Sequence, residues 1–187
     1  EAEAERFSDG SFSYPSCLFI FWVPLILEMS PPAPPWQGNI AHMSSVFQFA
    51  VATYLLLISK GKILLLRRFN TGYEDGNYSM IAGHLDGGET VQKAMQREAK
   101  EEAGLIIDIG DIQIVHVMHR RGGEGRERID YFCTAAKWIG EPQNCEPHKC
   151  DDLSWFSLDE LPVNVIPYIR TAIEHYKNKT SFSSVGF

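Results

Sequence analysis

Residues 83–105 constrain this chain more than any other stretch, because one passage sets the start, the length, the end and the charged face of a helix. Gly83-His84-Leu85-Asp86-Gly87-Gly88 is too glycine-rich for a regular element and lets backbone approach a ligand closely. Thr90 then has the type and place of an N-cap, and Gly104 those of a C-terminal stop, so a helix is predicted up to Ala103. Within it Glu98, Glu101 and Glu102 fall at i, i+3 and i+4, which sets their carboxylates on one face about one turn apart.

Three clustered anions repel one another. Taken alone they have two readings: a solvated acidic face, or hard oxygen ligands for Mg²⁺ or Mn²⁺. Arg97, four residues before Glu101, can brace the face in either case, at a few tenths of a kcal/mol if it is only a surface pair. Overall charge bears on the choice. With 17 Lys+Arg against 24 Asp+Glu the chain carries −7, which argues against a nucleic-acid binder held by phosphate neutralisation. If such a chain handles a polyanion, a cation must help.

The 187 residues, 44% hydrophobic and 12% aromatic, suffice for one ordinary globular domain with an appendage. Residues 1–43 differ from the rest: they hold six of the ten prolines, and their five acids and one base contribute −4 of the −7, leaving −3 for the remainder. Their apolar run from Cys17 to Met29 is too short to span a bilayer as a helix, and its acidic flank is wrong for an export signal. The domain is expected over residues 44–187. The first 43 read as a leader or appended segment, or else as an extension packed on the domain. Cys17, Cys133, Cys145 and Cys150 are too few and scattered for a disulfide framework, which points to a reducing, cytoplasmic compartment. Cys145, His148 and Cys150 lack a second Cys/His pair at zinc spacing and read as loop residues.

Periodicity predicts strands at 46–59 and 63–67 joined as a hairpin by Ser59-Lys60-Gly61-Lys62, then a polar loop at 70–77 and a short strand at 79–82. Further strands are expected at 105–109, 112–119, 128–138 and 153–156. Val165, Ile166, Ile169, Ala172, Ile173 and Tyr176 fall at helical spacing and should pack one helix face on the sheet. The order is that of an α+β domain. Trp138, Trp155 and Phe47 read as core.

Read from Gly83, the sequence GHLDGGETVQKAMQREAKEEAGL fits G-x5-E-x7-R-E-U-x-E-E-x-G-U, with U a bulky aliphatic residue. This resembles the Nudix box, the signature of the Nudix hydrolases. All seven fixed residues are present, namely Gly83, Glu89, Arg97, Glu98, Glu101, Glu102 and Gly104, with Leu105 in the last apolar place. A chance match has a probability of about 10⁻⁸ per start position at ordinary residue frequencies. Ala99 in the first aliphatic slot is the one mild departure.

The resemblance covers roughly residues 46–178 and implies the Nudix fold, an α/β/α sandwich with a mixed β-sheet between helices. It further implies Mg²⁺-dependent hydrolysis of a nucleoside diphosphate-linked substrate, with Mn²⁺ able to substitute. Glu98, Glu101 and Glu102 would be metal ligands, joined by a backbone carbonyl at Ala82 or Gly83; Glu98 or a neighbouring glutamate would be the general base. Arg97 would pair with Glu89 to hold the loop. The Pro that marks ADP-ribose hydrolases and the Tyr that marks dinucleoside-polyphosphate hydrolases are absent downstream, where Arg120, Arg121, Gly122 and Gly123 stand. The NADH-type string is absent too. Weight therefore shifts to MutT-like pyrophosphohydrolases of nucleoside triphosphates, oxidised ones included. ADP-ribose, sugar nucleotides, dinucleoside polyphosphates and capped RNA stay open as substrates, as does a nucleotide-sensing module without turnover.

Residues 140–146 are similar to a mutator-type loop whose last glutamate approaches the metal, so Glu146 is either an extra ligand or base, or a surface residue. Asn164 is either the cap of the last helix or, by resemblance, a reader of the purine edge, with a donor and an acceptor to offer. Arg67 and Arg68 point to opposite faces of their strand, and the family pattern assigns Arg68 to the substrate. His119, Arg120, Arg121, Arg126 and Arg128 flank a glycine-rich hairpin tip, either a solvated turn or a mobile loop that captures polyphosphate, Arg120 among its contacts. A small nucleotide is the expected partner, without nucleic acid or membrane; many relatives are homodimers.

Overall fold

The apolar runs of two central strands are buried on both faces, and that places them between two helices. In the computed structural model, which describes residues 47–187, Tyr54 and Leu56 pack with Ile169, Ala172 and Ile173 on one side. Leu55 and Leu57 pack with Met95, Ala99 and Ala103 on the other. Ile63 and Leu65 against Leu64 and Leu66 repeat the alternation. A strand covered on both faces needs apolar side chains throughout, which is why these segments do not alternate with polar residues.

The strands are β1 (Ala50–Leu56), β2 (Ile58–Ser59), β3 (Lys62–Arg68), β4 (Tyr78–Ser79), β5 (Ile81–His84), β6 (Ile112–Arg121), β7 (Glu127–Ala135), β8 (Cys150–Ser157) and β9 (Phe182–Val185). The helices are α1 (Val91–Ala103) and α2 (Pro167–Lys177). A five-stranded mixed sheet runs β5-β1-β7-β6-β9, with β1 parallel to β7 and antiparallel to β5. A smaller antiparallel sheet is built on β3, which pairs with β2, β4 and β8. The α+β fold with a mixed sheet between helices is as expected.

Thr90 accepts from the Lys93 N–H, and Gly104 (φ 68°) ends α1 in the left-handed region with its N–H on Lys100 O and Ala99 O. Other elements differ from expectation. The hairpin exists only at its tip, Ile58↔Ile63 and Ser59↔Lys62, because β1 leaves at Leu57 to pair in the larger sheet. Residues 105–109 hold an isolated bridge, Ile106↔Ile139, and the start of a 3-10 turn, Ile109–Asp111, since Leu105 and Ile107 are drawn under α1 instead of into a ladder. The last helix starts only at Pro167; Val165 bridges Tyr78. Strand β9 lay outside the sequence reading and pairs parallel to β6.

Trp138 and Trp155 are partly buried against the α1-side core, whereas Phe47 is exposed: it precedes β1 and meets Phe49 edge to face outside the sheet. The reading of residues 1–43 lies outside the described residues. No helix among the described residues is long and apolar enough to cross a membrane.

Candidate active site

Strand β5 is an edge of the larger sheet, and its backbone is free to meet α1 rather than another strand. Glu102 Oε2 accepts from the Ala82 N–H at 2.9 Å. One residue on, a Cβ added at Gly83 would overlap the Glu98 carboxylate, so the carboxylate can lie there only against a glycine. The two glutamates are thereby pinned against the Ala82–Gly83 backbone.

Arg97 ties the loop to the helix. Its Nη2 donates to Glu89 Oε1 at 2.9 Å and to His84 O at 3.1 Å, while Nη1 donates to Glu98 at 2.6 Å and to Glu101 at 3.3 Å. Glu89 also accepts from the Asp86 N–H at 2.7 Å. The resulting network holds the glycine-rich passage to α1, and Arg97 stays protonated among its carboxylates. Glu101, unlike Glu98 and Glu102, is exposed.

Glu146 reaches this site through the C-terminus of α1. The Gln143 N–H donates to Ala103 O and the Cys145 N–H to Glu102 O, satisfying carbonyls that a helix end leaves open. Glu146 lines a cleft of about 150 Å³ together with Glu102, Arg68 and Lys149. Lys149 Nζ donates to both of its carboxylate oxygens, at 2.9 and 3.1 Å.

The electrostatics follow from burial and crowding. Burial pushes the Glu102 carboxyl up to about 8 against the Ala82 N–H, with Glu98 and Glu146 adding repulsion. Glu98 is also raised, by burial first; Arg97 opposes this, and Glu101 and Glu146 reinforce it. Among the described residues no three acidic, imidazole or thiol side chains close on one point as a preformed cation cage. The donors themselves, the carboxylates of Glu98 and Glu102 with Glu146 beside Glu102, are hard oxygens of the kind that suits a divalent ion.

Arg68, at the end of β3, donates through Nε to Tyr73 O at 2.7 Å and through Nη2 to Thr71 Oγ1 at 3.0 Å. It borders both the Glu102–Glu146 cleft and a second one of about 220 Å³ that includes Gly83, His84, Arg128 and Tyr168. Arg67 turns away to Asp151 at 2.7 Å. A wider cleft of about 690 Å³ lies on the outer side of α1 and takes in Glu101 and Arg97, but neither Glu98 nor Glu102. We place the site at the smaller clefts, one lined by Glu102 and Glu146 and the other by Gly83, against which the Glu98 carboxylate lies.

Two residues sit differently from expectation. Asn164 does not cap α2: the helix begins after Ile166 without a side-chain cap. Instead Asn164 Nδ2 donates to Gly76 O at 2.7 Å and Asn164 O accepts from the Tyr78 N–H at 2.9 Å, fastening the 70–77 loop. It lines neither cleft. Arg120 flanks the glycine-rich tip as expected but is neither solvated nor on a loop; it is buried within β6, its Nε on Asp130 at 2.9 Å, because β6 extends past His119. Lys149, Asp130, Tyr168 and Tyr73 were not singled out from sequence. Asp130 left a signal, since strand alternation puts it on the same face as buried Phe132.

The family model described as NUDIX domain matches residues 46–176. The chain is 27% identical over 63% of its length to an oxidized purine nucleoside triphosphate hydrolase of Danio rerio, covering 72% of that protein. It is 29% identical over 58% of its length to an NAD-capped RNA hydrolase NudC of Stutzerimonas stutzeri, and spans only 37% of the latter. In structure it is similar to a MutT NUDIX hydrolase of Burkholderia pseudomallei, with a TM-score of 0.63 and 29% identity over 68% of this chain and 98% of that one. With the box residues arranged as described, the match over 46–176 means that the chain belongs to the Nudix hydrolase family.

Proposed function

We propose that this domain hydrolyses a nucleoside diphosphate-linked substrate with Mg²⁺, Mn²⁺ being able to substitute, and that the substrate is a nucleoside triphosphate, oxidised purines included, cut to monophosphate and diphosphate. One observation carries the reading: Glu98 and Glu102, both with raised proton affinity, are pressed against Ala82–Gly83 with Glu146 nearby. Glu98, Glu101, Glu102 and Glu146, with the Gly83 carbonyl, would hold the ion. When bound, it screens the diphosphate charge and acidifies water.

The remaining work falls to the chain itself. Glu98, or the glutamate beside it, takes the proton of the attacking water as the phosphoanhydride bond breaks. Arg68 borders the cleft and can meet phosphate oxygens, and Lys149 can move from Glu146 to the substrate. Arg97 and Glu89 hold the loop that presents Gly83. The relationship to an oxidized purine nucleoside triphosphate hydrolase supports the substrate class.

The test is a panel of nucleoside triphosphates, oxidised triphosphates, ADP-ribose and dinucleoside polyphosphates assayed with Mg²⁺. Glu101→Gln and Glu102→Gln should each lose orders of magnitude in turnover with the fold retained. Full activity in either variant, or in metal-free buffer, would sink the proposal.

A further inference from the structure

Across β5 from the glutamates the protein changes sign. Arg120 is buried at 7% exposure, and its Nη2 has no hydrogen-bond acceptor. A buried donor left without an acceptor is destabilising, so a position that retains one invites a ligand. The guanidinium is otherwise held rigidly. Its Nε donates to Asp130, which is fully buried, and its carbon lies 3.8 Å from the centre of the Tyr168 ring. Tyr168 is in turn set by Tyr54, the two hydroxyls being 3.4 Å apart.

Asp130 cannot balance the positive charge around it. Its second oxygen accepts from Arg128 Nε at 3.2 Å, and Arg128 stands directly opposite Arg120 in the β6–β7 ladder. Arg120 and Arg128 share a cleft of about 360 Å³ with Tyr73, and Arg128 and Tyr73 also border the 220 Å³ cleft that includes Gly83 and Arg68. Two guanidinium groups thus share one buried carboxylate, beside a cleft that adjoins the one bordered by Gly83 and Arg68. A neutral base edge would satisfy the Arg120 donor but leave the charge excess in place; an anion satisfies both.

We propose that Arg120, positioned by Asp130 and Tyr168 and assisted by Arg128, is an anion subsite for a phosphoryl group of the substrate other than the two that flank the bond being cut. Two halves of one polyphosphate are then bound by opposite means. The reacting diphosphate lies against carboxylates and needs a divalent ion, whereas the further phosphoryl group is met by guanidinium. This rests on the pyrophosphohydrolase reading for the identity of the ligand, but the subsite can be assayed without turnover.

The experiment titrates the full chain with inorganic pyrophosphate and with inorganic phosphate in EDTA, followed by calorimetry and ³¹P NMR. Wild type and Glu102→Gln should bind pyrophosphate alike, and Arg120→Met should bind it about 10- to 100-fold more weakly. Because Arg120→Met leaves Asp130 buried beside a reduced positive charge, the pair Arg120→Met with Asp130→Asn serves as the folded control, and Arg120→Lys should recover part of the affinity. With Mg²⁺, the preference in kcat/KM for a nucleoside triphosphate over the diphosphate should fall in the Arg120 variants. Unchanged pyrophosphate binding in folded Arg120 variants overturns the subsite even if triphosphates turn over. So does binding of a phosphate-free nucleoside at Arg120 in place of pyrophosphate. Arg120-dependent pyrophosphate binding without turnover of any substrate upholds the subsite and removes the activity reading instead.

Discussion

The carboxylate of Glu98 lies against the backbone of Gly83 so closely that a Cβ at Gly83 would overlap it. A helix side chain and a strand backbone are thereby locked in register, and the first residue of the box positions a glutamate fifteen places downstream. Gly83→Ala should fold, since the overlap falls on the end of a side chain, but Glu98 must swing away. Misplacement by about 1 Å can lower turnover on the order of 100-fold. Steady-state kinetics with an unchanged circular dichroism spectrum would check this; wild-type kcat would refute it.

Arg97 joins Glu89, Glu98, Glu101 and the His84 carbonyl. Its removal leaves the buried Glu98 without its cation, so Arg97→Ala should lose about 2–3 kcal/mol in urea unfolding of the metal-free protein. Lysine should not restore this, because one ammonium cannot span the same acceptors. Mg²⁺ should stabilise the variant more than wild type.

Glu102 yields a pH dependence of definite sign. Its carboxyl is raised from 4.5 to about 8 by burial, so the folded state prefers it protonated. The associated stability is complete below the unfolded value and is lost as pH rises through about 8; Glu98 acts in the same direction. In EDTA the Tm should fall over that interval, and Glu102→Gln should flatten the fall. Identical Tm–pH curves for the two proteins would contradict it.

The thiols should differ in reactivity. Burial raises the Cys133 thiol to about 11 and also raises Cys150, whereas Cys145 is exposed in the loop beside the end of α1. Iodoacetamide at pH 8, read peptide by peptide, should modify Cys145 and spare Cys133 and Cys150 until denaturant is added. Equal labelling of all three in the native protein would show that the core around Thr53 and Cys133 opens readily.

Local chemistry made much of this protein legible in one dimension. Thr90 and Gly104 bound α1 because capping depends on neighbouring backbone, and the spacing of Glu89, Arg97, Glu98, Glu101 and Glu102 places them on one helix and its adjoining loop. Contacts between distant segments were not legible. Glu146, which resemblance offered either as a further ligand or base or as a surface residue, comes beside Glu102 because the Gln143 and Cys145 N–H groups close the end of α1. Asn164 turns from the helix it precedes to a carbonyl eighty-eight residues earlier, since Val165 is drawn into a bridge with Tyr78. Arg120 looked like part of a solvated hairpin, and its burial follows from Asp130 on the next strand and Tyr168 on α2. Spacing along the chain determined the acidic half of the site, because a helix repeats every few residues. Only the pairing of β6 with β7 and the packing of α2 decided the cluster of Arg120, Arg128, Asp130 and Tyr168, because it assembles groups from elements that share no local period.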